Sequence, residues 1–240
     1  MSFGGSGHDS HVGNLRPHNE DSYLLDAELG LGVLADGMGG YEGGEIASRI
    51  VVQSVSDAVR SGASMAQSLV TAHKAVLAAA KNGEGRPGMG STALAIKLTD
   101  HDYEVVWVGD SRAYLWNTEQ LVQLTTDHSL VQELVEQGEI SVEEARCHPK
   151  RNLITQAIGM SELHTMKVGV VKGQVFPGHQ LLLCSDGLSG EVTHGEIAEI
   201  LALDLNEQQK VDLLVQRALE NGGSDNITVI LISANNTPTI

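Results

Sequence analysis

Between Ser91 and Leu124 four strand-like stretches follow one another with only short breaks: Ser91–Leu98, Tyr103–Val108, Ser111–Trp116 and Leu121–Leu124. Thr99-Asp100-His101-Asp102 and Asn117-Thr118-Glu119, which separate some of them, carry turn chemistry. A parallel pair needs a crossover of about a dozen residues or more, so connections this short force antiparallel pairing and exclude a doubly wound parallel sheet. Ser22–Asp26 and Leu31–Asp36 form a further hairpin through Ala27–Gly30, and Met166–Val171, Gln180–Ser185 and Asn226–Ser233 add more strands.

Elsewhere the apolar period changes to that of a helix. Ile46, Ile50, Val51, Val55, Ala58 and Val59 predict a helix over Gly44–Ser61, and Met65, Leu69, Ala72, Val76, Leu77 and Ala80 predict a second over Ser64–Lys81. Both read as helices covering a sheet. Short helices are expected at Ser129–Gln137 and Ser141–Arg146, the latter opened by a Ser141/Glu144 capping box and stopped by Pro149. Thr193 with Glu196 opens another, and Asn206 heads a strong one through Leu219 that Gly222 and Gly223 end. The polar excursion from Asp127 to Thr165 reads as a flap over a site. Residues 1–11, rich in Gly, Ser and His, read as a loose end, with His8 and His11 solvated. No repeat or linker divides the chain, so one domain is expected over 1–240.

The stretch Leu31–Gly40, LGVLADGMGG, shows where chemistry enters. An apolar run ends in Asp36, and glycines follow at 37, 39 and 40. Alone, this fits an Asp-Gly turn as well as a ligand position. The pattern recurs, however. Val105–Gly109 ends in Asp110, Leu181–Ser185 ends in Asp186, and Asp225 precedes Asn226–Ser233. Sheets that bring these ends to one edge gather four carboxylates, which repel strongly in a low-dielectric cleft unless cations lie between them. Hard divalent ions with oxygen ligands are the natural counterweight. Val12–Asp21 adds Arg16, His18, Asn19, Glu20 and Asp21, and the hairpin carries Arg16 and Asp21 to the same edge as Asp36.

Composition narrows the partners. The 240 residues carry a formal charge of −16, from 15 basic and 31 acidic side chains, which argues against nucleic-acid binding. No apolar run approaches a membrane span, and the first thirty residues, which lack a basic start followed by an apolar core, are not expected to be a secretory signal. Cys147 and Cys184 lack metal-type spacing, and Cys184 sits inside a strand. The expectation is an acidic, cytoplasmic, monomeric domain with no nucleic-acid or membrane partner.

Taken together the segments resemble bacterial type 2C (PPM) metal-dependent serine/threonine protein phosphatases. The matching pieces run in that family's order: RPHNED (Arg16–Asp21), ADGMGGYEGGEIAS (Ala35–Ser48), MGSTA (Met89–Ala93), VGDSRAY (Val108–Tyr114), TTDHSL (Thr125–Leu130), HPKRNLITQAIG (His148–Gly159), CSDGL (Cys184–Leu188) and GGSDNITVI (Gly222–Ile230). The resemblance implies an α+β fold, a four-layer αββα sandwich of two antiparallel sheets flanked by helix pairs. It implies that Asp36 bridges two metal ions, that Gly37 contributes its carbonyl, and that Asp186 and Asp225 are further ligands. Glu20 and Asp21 would hold metal-bound waters, Arg16 the phosphate, and Asp110 a third, weaker ion shared with Asp186. His148 falls at a flap position implied to affect substrate handling.

The residue chemistry agrees with manganese or magnesium, since every expected ligand is carboxylate, carbonyl or water. Arg16 can fork onto two phosphoryl oxygens as Lys cannot. The implied reaction is direct attack of a metal-bridging hydroxide on a phosphomonoester, with no phosphoenzyme. The implied substrates are phosphorylated Ser/Thr proteins, a cognate kinase or its targets. Met38 departs from many eukaryotic relatives, which carry a proton-donating His there. The general acid is therefore open among metal-bound water, His148 and His18. A phosphoprotein-binding pseudophosphatase and a small-molecule phosphatase are the alternatives. The first predicts loss of a metal-bridging Asp or of the phosphate Arg, yet Asp36, Asp186, Asp225 and Arg16 are all present.

Overall fold

The apolar runs are nearly unbroken because both faces of their strands are buried. A computed structural model describes residues 3–39, 43–160 and 166–234. In chain order it contains β1 (Gly5–His11), β2 (Asp21–Asp26), β3 (Leu31–Met38), α1 (Gly43–Arg60), α2 (Met65–Lys81), β4 (Gly90–Ser91), β5 (Ala93–Thr99), β6 (Asp102–Val108), β7 (Arg112–Trp116) and β8 (Leu121–Gln123). There follow α3 (Leu130–Glu136), α4 (Val142–Cys147), β9 (Gly169–Gln174), β10 (Gln180–Cys184), α5 (Asp186–Ser189), α6 (His194–Leu201), α7 (Glu207–Glu220) and β11 (Ile227–Ser233).

One sheet has the order β1-β11-β10-β7-β8; the other runs β2-β3-β5-β6-β9, with β4 paired to β3. Every pairing between these strands is antiparallel. Alternation sorts each strand between two cores. Leu34, Leu94, Ile96, Leu181, Leu183, Ile230 and Ile232 fill the space between the sheets. Leu31, Val33, Ala35, Ala93 and Ala95 turn outward onto Val51, Val55, Leu69 and Val76 of α1 and α2. Leu182, Cys184, Val229 and Leu231 turn the other way onto Ile197, Val211 and Leu214 of α6 and α7. The fold is the αββα sandwich that the resemblance implied, with the antiparallel pairing that the short connections led us to expect.

Two expectations need correction. Residues 5–11 are not a loose end. They form the edge strand β1, paired with β11 from Gly5↔Ser233 to His11↔Ile227. Its composition misleads because α7 lies directly on it. A Cβ at Gly7 would stand 2.6 Å from the backbone of Glu207 and Gln208. The strand expected at Met166–Val171 lies instead at Gly169–Gln174. There Gly169 and Gly173 sit opposite Trp107 and Tyr103, whose rings occupy the space their side chains would need. Gly40 and the flap's last expected residues, 161–165, lie outside the described residues.

The helix caps fall where the sequence places them. Ser141 and Glu144, and Thr193 and Glu196, form capping boxes, and Asn206 caps α7 with Gln209 as its return partner. His148, extended at φ −67° and ψ 137°, ends α4 just before Pro149, as a residue preceding proline should.

Candidate active site

The antiparallel order brings the strand-end aspartates to one edge. Asp21 and Asp36 stand directly opposite each other across β2 and β3. β6 leaves its sheet at Val108, and the chain crosses at Gly109–Ser111 to begin β7 in the other sheet, so Asp110 sits at the crossing. Arg112 pairs with Cys184, which sets Asp110 and Asp186 at the same end. Cys184 pairs with Val229, which brings Asp225 there too. Asp36, Asp110, Asp186, Asp225 and Glu20 all line one cleft of about 420 Å³, together with Arg16, His18, Gly37 and Met38.

Two of the glycines are explained by close approach. A Cβ at Gly37 would lie 2.1 Å from the Gly44 carbonyl oxygen, and one at Gly187 would lie 2.1 Å from the Asn226 carbonyl oxygen. Their freedom from a side chain, rather than a special φ, lets α1 and β11 close on the aspartate turns. Gly37 N–H donates to the Glu20 carbonyl at 3.1 Å.

Electrostatically the cleft is overcharged. Among the described lining residues, five carboxylates face one guanidinium, Arg16, whose Nη2 donates to Asp225 Oδ2 at 2.6 Å. That contact raises the Arg16 pKa. Burial, reinforced by neighbouring carboxylates, pushes Asp186 up to about 6, Asp21 to about 7 and Asp110 to about 8. Burial likewise raises Asp36 well above the usual carboxylate range, with Asp21, Asp186, Asp110 and Asp225 adding to it. Glu20 is raised chiefly by burial. Asp21 Oδ1 and Asp186 Oδ1 are buried without a hydrogen-bond partner, although Asp21 Oδ2 accepts from Thr228 Oγ1 at 2.6 Å. Orphaned carboxylate oxygens in an all-oxygen donor set fit hard divalent cations. The fit lies in chemistry and charge, because no three His, Cys, Asp or Glu side chains among the described residues close into a cage around one ion.

His148 is not brought to this cleft. It caps α4 and its Nδ1 accepts from Lys150 N at 3.1 Å, outside the lining residues. The flap instead borders a second cavity of about 420 Å³ that shares Asp110, Asp186 and Asp225 with the first, and Val131, Val135, Val142, Arg146 and Arg151 line its flap side.

Several supporting residues escaped notice in the sequence although the motifs contain them. Asn226 staples the RPHNED loop: its Oδ1 accepts from Glu20 N at 2.8 Å, and its Nδ2 donates to the carbonyls of Val12 and His18 at 2.9 Å. His128 Nδ1 accepts from Gly109 N at 3.2 Å and steadies the Asp110 crossing. Arg112 grips Asp127 through Nε and Nη2, at 2.7 Å for the shorter arm. Asn226 follows Asp225, His128 lies within TTDHSL, and Arg112 stands two residues after Asp110, and that proximity was the available signal.

A carboxylate-lined cleft between two antiparallel sheets, with an arginine at its mouth, is suited to metal-assisted hydrolysis of an anionic ester. The comparisons agree. The family described as Protein phosphatase 2C matches residues 9–227. The serine/threonine phosphatase stp of Listeria innocua is 36% identical over 236 residues, 93% of each chain. The solved structure of the Mycobacterium tuberculosis serine/threonine phosphatase PstP/Ppp superposes with a TM-score of 0.88 at 34% identity, covering 96% of this chain and 98% of that one. A structure of the PstP catalytic domain in complex with two manganese ions gives 0.84 at 32% identity, covering 95% and 96%. This chain belongs to the protein phosphatase 2C family.

Proposed function

We propose that the chain hydrolyses phosphoserine and phosphothreonine monoesters in proteins, using two manganese or magnesium ions. The observation that carries the reading is the convergence of Asp36, Asp110, Asp186 and Asp225 on one cleft with Arg16 at its mouth. In this reading Asp36, Asp186, Asp225 and the Gly37 carbonyl hold the two core ions, Glu20 and Asp21 hold water around them, and Asp110 with Asp186 holds a third. When bound, such ions supply Lewis acidity and a water activated at neutral pH.

The chain's own groups do the rest. Arg16 turns from Asp225 to fork onto two phosphoryl oxygens, and so orients the phosphorus for direct attack. Met38 lines the cleft and has no proton to give. The leaving alkoxide takes its proton from water in the cleft, or from His148 in a flap position other than the one described. The proposed catalytic domain spans 1–240 with a flap near 127–165, acts as a cytoplasmic monomer, and serves phosphoproteins such as a cognate kinase or its targets. Among the described residues no helix is long and apolar enough to cross a membrane. The test is release of phosphate from phosphothreonine peptides with manganese. Activity that survives chelation, or survives Asp36→Asn, would overturn the reading.

A further inference from the structure

The MGSTA stretch contains a device that none of these roles uses. Between β4 and β5 the ladder against β3 is interrupted at Thr92. Its amide still donates to the Asp36 carbonyl at 2.8 Å. The return bond is made by the side chain: Asp36 N–H donates to Thr92 Oγ1 at 2.9 Å. The same Oγ1 lies 2.8 Å from Ser111 Oγ, on the residue that follows Asp110. Thr92 and Ser111 are 1% and 2% exposed. The crossing also closes against Thr92 sterically, since a Cβ at Gly109 would lie 2.6 Å from Thr92 Cγ2.

We infer that the Thr92–Ser111 hydroxyl pair is a positioning strut that fixes the Asp36 carboxylate relative to the Asp110 carboxylate and so sets how tightly the cleft holds divalent ions. The inference rests on the two-ion reading above. The two aspartates belong to segments that leave the sheets in different directions: Asp36 ends β3, and Asp110 lies between the sheets. Among the bonds described, this hydroxyl pair is the side-chain link between those segments. Thr92→Val keeps the shape but leaves Asp36 N–H buried without its acceptor. Thr92→Ser keeps the hydroxyl and sheds only the methyl group. Ser111→Ala cuts the strut but leaves Asp36 its acceptor.

The experiment titrates manganese alone into metal-stripped full-length protein by calorimetry, with folding checked by circular dichroism. Thr92→Val is expected to lose about 10–100-fold in manganese affinity, as supporting residues around metal ligands typically do. Ser111→Ala should lose less, and Thr92→Ser should stay within about threefold of wild type. Wild-type affinity in folded Thr92→Val, or equal losses in Thr92→Ser and Thr92→Val, would overturn the strut while leaving the two-ion reading intact. If Thr92→Val does not fold, Ser111→Ala decides, and unchanged affinity there counts against the strut. A wild-type protein that binds no manganese overturns both.

Discussion

The cleft and the flap meet at the same cavity but are built in opposite ways. The cleft aspartates sit at the ends of strands whose neighbouring residues, such as Ala35, Val108, Cys184 and Ile227, are essentially inaccessible to solvent. In α3 and α4 no residue is buried, and Val142 is 62% exposed. The flap's attachment to the body includes a few backbone bonds, among them Thr155 N to the His128 carbonyl at 2.8 Å. A site that must hold charges at fixed spacing is placed where packing allows one arrangement. The flap, which we propose meets substrates of varied shape, is placed where local opening costs little. Substitutions in the cleft should therefore strike the chemical step, and substitutions in the flap should act on substrate affinity.

The largest effects are expected at the carboxylates. Asp36→Asn or Asp225→Asn should lower kcat/KM by more than the roughly 10–100-fold typical of residues that merely support metal ligands, with the loss mainly in kcat. Steady-state kinetics on an aryl phosphate across manganese concentrations will show this. Removal of metal with a chelator should abolish turnover. Arg16→Ala follows in size. Loss of its charge-assisted bonds, worth about 1.5–3 kcal/mol, corresponds to roughly ten- to hundredfold in kcat/KM. Arg16→Lys should recover little, because an ammonium does not present the fork. Equal activity of the Lys variant and wild type would break the assignment of Arg16 as a bidentate phosphate group.

The same burial gives the metal-free protein a distinctive pH dependence. Asp186, Asp21 and Asp110 are raised from 3.8 to about 6, 7 and 8, so the folded chain binds more protons than the unfolded chain over that interval. Their stabilising contribution is complete below the unfolded value and is lost as pH rises through the folded values. The lowered pKa values of His73 and His128 act in the other direction, but only below their ordinary value of 6.5. With chelator present, Tm should therefore fall between pH 6.5 and 8, and the gain in Tm on adding manganese should grow across the same range. A chelated Tm that rises with pH there would mean that the carboxylates are not crowded as described.

How much of this was legible follows the same division. The strand-end aspartates stood out because a strand buried on both faces reads as an apolar run, and a carboxylate ending such a run is conspicuous. Helix starts were legible because a cap such as Ser141 with Glu144 is local. β1 was not legible, because Gly5–His11 gains its order from β11 at the far end of the chain and from α7 lying on its glycines. The position of β9 depends on Trp107 and Tyr103 covering its glycines, a long-range fact invisible in period-two reading. Asn226 and Thr92 were in plain view within their motifs. What they do depends on bonds to Glu20 and Asp36, residues remote in sequence.

The smallest effects are expected in the flap, and they separate it most finely from the cleft. Val142→Ser removes an exposed apolar group from the cavity wall without uncovering any core. Its Tm should stay close to wild type, since surface changes of this kind usually fall within about ±0.5 kcal/mol. KM for a phosphopeptide should rise severalfold, while kcat/KM for a small aryl phosphate, which does not reach that wall, stays the same. His148→Ala is the sharper case. From its described position, with Nδ1 engaged by Lys150 N, it does not reach the leaving group, and the alkaline limb of the pH–rate profile should be unchanged. If that limb moves, or if kcat falls by the roughly 10²–10⁴-fold of a lost general acid, the flap must close during turnover to deliver His148. The contrast would then be between two parts of one catalytic site rather than between chemistry and recognition.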